Sequence, residues 1–128
     1  MPKTPQPVHT DAAPAAIGPY SQAVVLGELL FCSGQVALDP VSGELVGETA
    51  AEQCHQVMKN LTAVLEAAGT AIPNIARTTI FLASMDDFVA VNEVYASYLG
   101  EHRPARATVA VKTLPKNALV EIDCIAGL

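Results

Sequence analysis

The sequence predicts an α+β domain in which two helices pack on one face of a mixed β-sheet. Two segments carry apolar residues at three- and four-residue spacing, which is typical of amphipathic helices. Short apolar runs bounded by turn residues precede, separate and follow these segments, so the predicted order is ββ-α-β-α-ββ. With 128 residues the chain fits one domain with a single core. Residues 1–16, rich in Pro and Ala, are interpreted as an extended N-terminal arm.

The first half of the chain predicts a β-hairpin followed by a helix. Short apolar runs at 20–25 and 29–33 flank the turn residue Gly27, which is the pattern of a hairpin. Thr49, with a glutamate three residues later, forms a capping box, and Gly69 stands where a helix C-terminal cap belongs. The residues expected on the buried stripe of this helix are Cys54, Val57, Met58, Leu61, Val64, Leu65 and Ala68.

A strand and a second helix are predicted next. Residues 76–82 have strand composition, and Ser84 or Asp86 then caps a helix that runs to Gly100. Asn92 lies at the edge of the apolar stripe of this helix, so its amide is expected to have a specific partner. The residues expected on the buried face are Phe88, Val91, Val94, Tyr95, Tyr98 and Leu99.

The last two strands are predicted to form a hairpin. Segments 106–113 and 118–126 flank the turn at 114–117, which favours antiparallel pairing between them. Simple pairing about this turn would set Arg106 opposite Ile125, several residues along the strand from Glu121.

Charge and composition exclude several classes of partner. Thirteen acidic and seven basic residues give a net charge of −6, a field that repels nucleic acid. No apolar stretch approaches the ~20 residues of a membrane span and the N-terminus lacks a signal-peptide pattern, so a cytoplasmic protein without membrane contact is expected. Cys32, Cys54 and Cys124 lie among apolar neighbours and predict buried free thiols, and the histidines share no ligand spacing, so no metal site is expected.

The strands also predict an oligomer. Two helices cover only one face of a sheet of five or six strands, yet residues 29–31 and 80–82 place apolar groups on both faces. A lone monomer would expose a large apolar patch. We therefore expect the second face to be an assembly surface.

Two charged residues in the last strands are candidates for chemistry. Alternation along the final strand separates Glu121 and Asp123 from the buried residues. That face is either simply solvated, or it lines a cleft in which desolvation raises the pKa of Glu121 and lets it exchange protons near neutral pH. Arg106 either forms a surface salt bridge or offers its planar fork to the carboxylate of a small 2-keto or 2-imino acid.

Four motifs in order, spanning about residues 12–127, resemble the RidA/YjgF family. They are Pro104-Ala105-Arg106 with Lys112, Leu114 and Val120-Glu121-Ile122; the segment from Ala15 to Ala23; Ser33-Gly34-Gln35; and Val91-Asn92 with Tyr95. The resemblance implies a chorismate-mutase-like fold and a homotrimer with clefts between subunits. It also implies cofactor-free hydrolysis of small enamines and imines, such as 2-aminoacrylate and 2-iminopropionate, to 2-keto acids and ammonia.

The same resemblance assigns roles to individual residues. Arg106 would bind the substrate carboxylate, and Glu121 would handle the hydrolytic water. The residues implied to line the pocket are Tyr20, Ser33, Gly34, Asn92 and Thr108. Structural roles are the alternative for several of these, since a glycine can serve a tight turn, a tyrosine can simply pack and a serine can end a strand.

Position 108 departs from the family pattern, which often has cysteine there. A backbone contact at Thr108 would survive this difference, but a role that needs a thiol is not expected, because a hydroxyl neither ionises nor oxidises in the same way.

The expected separation of Arg106 and Glu121 leads to a further hypothesis, that the two residues meet across a subunit boundary. Three other functions stay open at this stage. They are a non-catalytic regulatory protein that binds a small keto or imino acid, a ribonuclease or translation inhibitor, and a stress-activated chaperone that uses the apolar face.

Overall fold

The chain folds into a six-stranded mixed sheet with two helices on one face. A computed structural model describes residues 1–128. The predicted fold class is therefore confirmed. The strands are β1 (Gln6–Val8), β2 (Ala23–Leu26), β3 (Leu29–Gln35), β4 (Ile75–Leu82), β5 (Ala105–Ala110) and β6 (Val120–Gly127), and the helices are α1 (Ala50–Ala67) and α2 (Phe88–Leu99). Their order across the sheet is β1-β2-β3-β6-β4-β5, and every neighbouring pair is antiparallel except β4 and β5.

Local sequence signals fix both helices. The hydroxyl of Thr49 accepts a hydrogen bond from Glu52 N at 3.1 Å, and Gly69 adopts φ +86° immediately after the last turn of α1. Ser84 caps a 3₁₀ turn at 85–87, and α2 begins only after it, at Phe88. Gly100, at φ +61°, ends α2.

The predicted hairpin between the last two strands is wrong. β5 pairs in parallel with β4, with Arg106 beside Thr78, whereas β6 lies in the middle of the sheet between β3 and β4. Ile125 accordingly pairs with Arg77 rather than with Arg106. The reason is that α2 connects β4 to β5 as a helical crossover, which makes neighbouring parallel strands. The segment between β5 and β6 then returns from the sheet edge to its centre.

Part of the predicted N-terminal arm is also a strand. Gln6–Val8 pairs with β2 at the edge of the sheet, where the missing amide proton of Pro7 is tolerated. Gln22 ties down the next stretch of the arm: its side chain accepts from Thr10 N at 2.7 Å and donates to Pro14 O at 2.8 Å. These bonds hold the arm against the start of β2 as far as Pro14.

The core lies between the helices and one sheet face, and the other face is open. Leu30 is fully buried on the helix side, whereas Leu29 and Phe31, its neighbours, are 43% and 37% exposed. This open face also carries half-buried Phe81 and Ile125. All three cysteines are buried and free, as predicted. No helix combines the length and the apolar composition that crossing a membrane requires.

Candidate active site

Arg106 forms one half of the candidate site, on the helix side of the sheet. Its Nη1 donates a hydrogen bond of 2.6 Å to Oδ1 of Asn92, and its guanidinium carbon lies 5.6 Å from the ring centre of Phe88 and 5.5 Å from that of Tyr95. The hydroxyl of Tyr95 is in turn 2.7 Å from Oγ1 of buried Thr78. The partner expected for Asn92 is therefore Arg106, and three residues of α2 contact the guanidinium.

The guanidinium borders a cleft of about 470 Å³ between α2 and the start of β5. Asn92, Tyr95, Arg103 and Arg106 line this "Arg106 cleft" together with apolar groups. Arg106 is exposed and forms no ion pair. One edge of its planar fork is bonded to Asn92, and the fork keeps further N–H donors for an anion such as a carboxylate.

Glu121 forms the second half of the candidate site, on the open face. It borders a separate cavity of about 610 Å³, the "Glu121 cavity", together with Tyr20, Ser33, Gly34 and Lys116. Glu121 has no ion-pair partner. Burial raises the pKa of the Glu121 carboxyl above its ordinary value of 4.5, and the neighbouring charge of Asp123 raises it further. A carboxyl with these properties can accept a proton nearer neutral pH than an exposed glutamate can.

Gly34 makes room for this carboxyl. A Cβ atom built on Gly34 would lie 2.9 Å from Cδ of Glu121, closer than side-chain contacts allow. The Gly34 backbone is outside the left-handed region, so no tight turn requires the glycine, and a side chain here would displace the Glu121 carboxyl from its present position. Ser33 donates from Oγ to Ser21 O at 2.6 Å, which fixes the chain beside Tyr20.

Four of the residues predicted to line the pocket lie beside Glu121 or Arg106, but in two separate groups. Tyr20, Ser33 and Gly34 accompany Glu121, and Asn92 accompanies Arg106. Gln22, which anchors the arm before Tyr20, is not among the residues predicted for the site, although it lies inside the motif from Ala15 to Ala23. Its glutamine type gave no signal, because its role depends on backbone atoms of a distant segment.

The two halves lie on opposite faces of one chain. Arg106 pairs with buried Thr78 and so points to the helix side, whereas Glu121 pairs with Phe81 on the open face. Arg106 pairs with Thr78 on β4, and Thr78 pairs with Cys124 on β6. Arg106 is therefore two strands away from β6, at the height of a residue that lies three positions along β6 from Glu121. Standard spacings put their Cα atoms about 14 Å apart. One small molecule therefore cannot contact both side chains within a single chain.

Comparison with known proteins assigns the chain to a family. The family model described as endoribonuclease L-PSP matches residues 10–128. A 2-iminobutanoate/2-iminopropanoate deaminase from Mus musculus is 49% identical over 119 residues, which cover 93% of this chain and 88% of that protein. This chain belongs to the RidA/YjgF family. The deaminase of the same name from Homo sapiens is 44% identical over 119 residues, covering 93% and 87% of the two chains.

Solved RidA/YjgF structures share the whole fold. The crystal structure of a putative endoribonuclease from Thermotoga maritima has a TM-score of 0.93 at 52% identity and covers 96% of this chain and 97% of that chain. E. coli TdcF with bound serine has a TM-score of 0.91 at 37% identity, with coverage of 96% and 98%. The names of these relatives divide between deaminase and endoribonuclease, so membership of the family does not by itself establish the activity.

Thr108 stands where the RidA/YjgF pattern often has cysteine. It lies two residues after Arg106 on the same face, but it borders neither the Arg106 cleft nor the Glu121 cavity. Its Oγ1 is buried and has no hydrogen-bond partner. A buried hydroxyl without a partner costs free energy that a methyl group of similar shape would not.

Thr108→Val is therefore expected to raise the free energy of unfolding by about 1 kcal/mol. Urea denaturation followed by circular dichroism measures this change, with Thr108→Ser as the control that keeps the hydroxyl and loses the methyl group. A loss of stability in Thr108→Val would mean that the hydroxyl finds a partner in the assembled protein. A KM that rises in Thr108→Val but not in Thr108→Ser would support the substrate contact implied for Thr108.

Proposed function

We propose that the chain is a hydrolytic deaminase of small 2-imino acids and their enamine tautomers, of the 2-aminoacrylate and 2-iminopropionate type. The observation that carries the proposal is Glu121, a half-buried carboxyl without an ionic partner, which faces a cavity and whose pKa is raised by desolvation. Relatives named as deaminases of 2-iminobutanoate and 2-iminopropanoate support the same chemistry. The bound serine in TdcF indicates that an amino acid fits that related protein.

In the proposed reaction Arg106 binds the substrate carboxylate through its free N–H groups, and Asn92 fixes the orientation of the guanidinium. The Glu121 carboxylate accepts a proton from water while the water oxygen forms a bond to the imine carbon. Glu121 delivers this proton to the imine nitrogen, so that a neutral amino alcohol forms and Glu121 is ionised again. Glu121 then accepts the proton of the new hydroxyl group and passes it to the amino nitrogen, and the C–N bond breaks as the oxygen forms its double bond to carbon. The hydroxyl oxygen becomes the keto oxygen, and the products are a 2-keto acid and ammonia.

This chemistry needs Arg106 and Glu121 at one substrate, so we propose that they come from different subunits of a homotrimer. The support is that the two residues lie on opposite faces of the sheet and that Leu29 and Phe31 expose apolar surface on the open face. Assembly through this face would cover the apolar groups and bring a second chain to the Glu121 cavity. Light scattering at micromolar concentration tests the assembly, and a monomeric mass would contradict it.

The activity itself is tested by coupling the protein to a serine or threonine dehydratase and following the loss of imine absorbance. We expect a rate well above spontaneous hydrolysis, with release of one ammonia per keto acid. A parallel incubation with single-stranded RNA tests the endoribonuclease description of the family. The net charge of −6 argues against RNA binding. RNA cleavage without imine hydrolysis would reverse the proposal, and keto-acid binding without turnover would identify a regulatory protein instead.

A further inference from the structure

The turn that precedes β6 contains the only two residues other than glycine with positive φ angles. Lys116 has φ +61° and Asn117 has φ +56°. Asparagine tolerates the left-handed region better than most residues, but lysine has no such advantage. Glycine would adopt the same conformation without the steric cost. The lysine at 116 therefore has a conformational cost that its position in a turn does not explain.

Packing on both sides of the turn enforces this conformation. Leu114 and Ala118 are buried in a small satellite core with Val36, and they fix the two ends of the turn. Asn117 N donates to Leu114 O at 3.0 Å, and Ala118 N donates to Pro115 O at 3.1 Å. The turn is thus held at a defined place on the open face, beside the Glu121 cavity.

The result of this placement is a free cation at the Glu121 cavity. Lys116 and Glu121 are the only charged side chains among the residues that line it. Lys116 is exposed, and no carboxylate lies within ion-pair distance of its ammonium group. Without Lys116, a cavity that contains a carboxyl, on a chain of net charge −6, would repel an anionic substrate.

We infer that the strained turn presents the Lys116 ammonium at the Glu121 cavity as a specificity-determining cation, which draws carboxylate-bearing imines toward Glu121 before Arg106 binds them. This inference rests on the proposed deaminase function. It assigns the two cations different roles. Arg106 orients the bound carboxylate through directional hydrogen bonds, whereas Lys116 acts as an exposed point charge. Its contribution should therefore affect substrate capture and be screened by salt.

The experiment compares Lys116→Gly with Asn117→Gly in the dehydratase-coupled assay. Lys116→Gly relieves a left-handed lysine and is expected to raise Tm by about 3 to 6 °C. Asn117→Gly should change Tm less, because asparagine already tolerates this region. Only Lys116→Gly removes the ammonium, and we expect its KM for 2-iminopropionate to rise about 3- to 10-fold at low ionic strength with kcat within about twofold of wild type. At about 1 M salt the KM difference should disappear, because the screening length falls to about 3 Å. Lys116→Arg, which keeps the charge, should retain the wild-type KM.

Three outcomes would overturn the inference. An unchanged KM in Lys116→Gly would remove the role of the ammonium, and an equal KM rise in Asn117→Gly would assign the effect to the turn's shape. A KM rise that persists at high salt would exclude an electrostatic role. A wild-type chain without imine turnover would refute the proposed function and this role with it, whereas an active wild type with any of the three outcomes would refute only the role of Lys116.

Discussion

Glu121→Gln is expected to lower kcat about 10²- to 10⁴-fold, because the amide keeps the size of the side chain but cannot accept the proton of the attacking water. The coupled imine assay measures this loss.

The free energy of unfolding of Glu121→Gln should not be lower than that of the wild type. The folded-state pKa of Glu121 is raised, so the protonated form is the one favoured by folding; this contribution to stability is greatest below pH 4.5 and is lost as pH rises through the raised pKa. At neutral pH the uncharged glutamine is therefore no less stable than the ionised glutamate. A variant that loses activity by unfolding would contradict this account.

Asp123→Asn is the matched control for this prediction. Asp123 lies on the same face as Glu121, two residues along β6, but it does not border the Glu121 cavity. Since the charge of Asp123 contributes to the raised pKa of Glu121, its removal should lower that pKa. Activity that requires ionised Glu121 falls as pH decreases through its pKa, so the acid limb of the pH–kcat profile should move to lower pH with the plateau retained. A limb that stays in place would mean that a different group titrates.

Arg106→Ala is expected to lower kcat/KM about 10²- to 10³-fold, because two charge-assisted hydrogen bonds to the substrate carboxylate are lost. Arg106→Lys should recover only part of this loss, since an ammonium keeps the charge but not the planar fork. An Arg106→Ala variant with the wild-type rate would remove carboxylate binding by Arg106 from the mechanism.

Mixing inactive Arg106→Ala and Glu121→Gln proteins under subunit exchange should restore activity. If each site takes Arg106 from one chain and Glu121 from another, random assembly of equal amounts gives intact sites at about a quarter of the wild-type number. Exchange is verified by assemblies of mixed mass in native mass spectrometry. Sites built within one chain would stay inactive whatever the mixing, so no recovery despite proven exchange would contradict the intersubunit arrangement.

Local signals in the sequence were sufficient for both helices and the first hairpin. The N-cap at Thr49 and the glycine at 69 are local signals, and α1 begins and ends where they predict. Alternation along β6 likewise separates Glu121 and Asp123 from the buried residues, because strand periodicity needs no knowledge of the neighbouring strands.

Strand pairing beyond the first hairpin could not be predicted from local signals. The turn at 114–117 has hairpin composition, yet β5 and β6 are not neighbours, because the crossover through α2 places β5 at the sheet edge and β6 at its centre. The partner of Asn92 and the close approach of Gly34 to Glu121 also join residues far apart in the chain. No spacing rule relates such residues.

By itself, therefore, the sequence determined the fold class, the positions of both helices, the alternation along β6, and the residue types able to bind an anion and exchange a proton. Only the tertiary structure decided that Arg106 and Glu121 occupy opposite faces of the sheet, and that a strained turn sets Lys116 beside Glu121. The physical reason is that periodicity and capping act within a few residues, whereas the face and the neighbours of a side chain depend on which strands pair across the sheet.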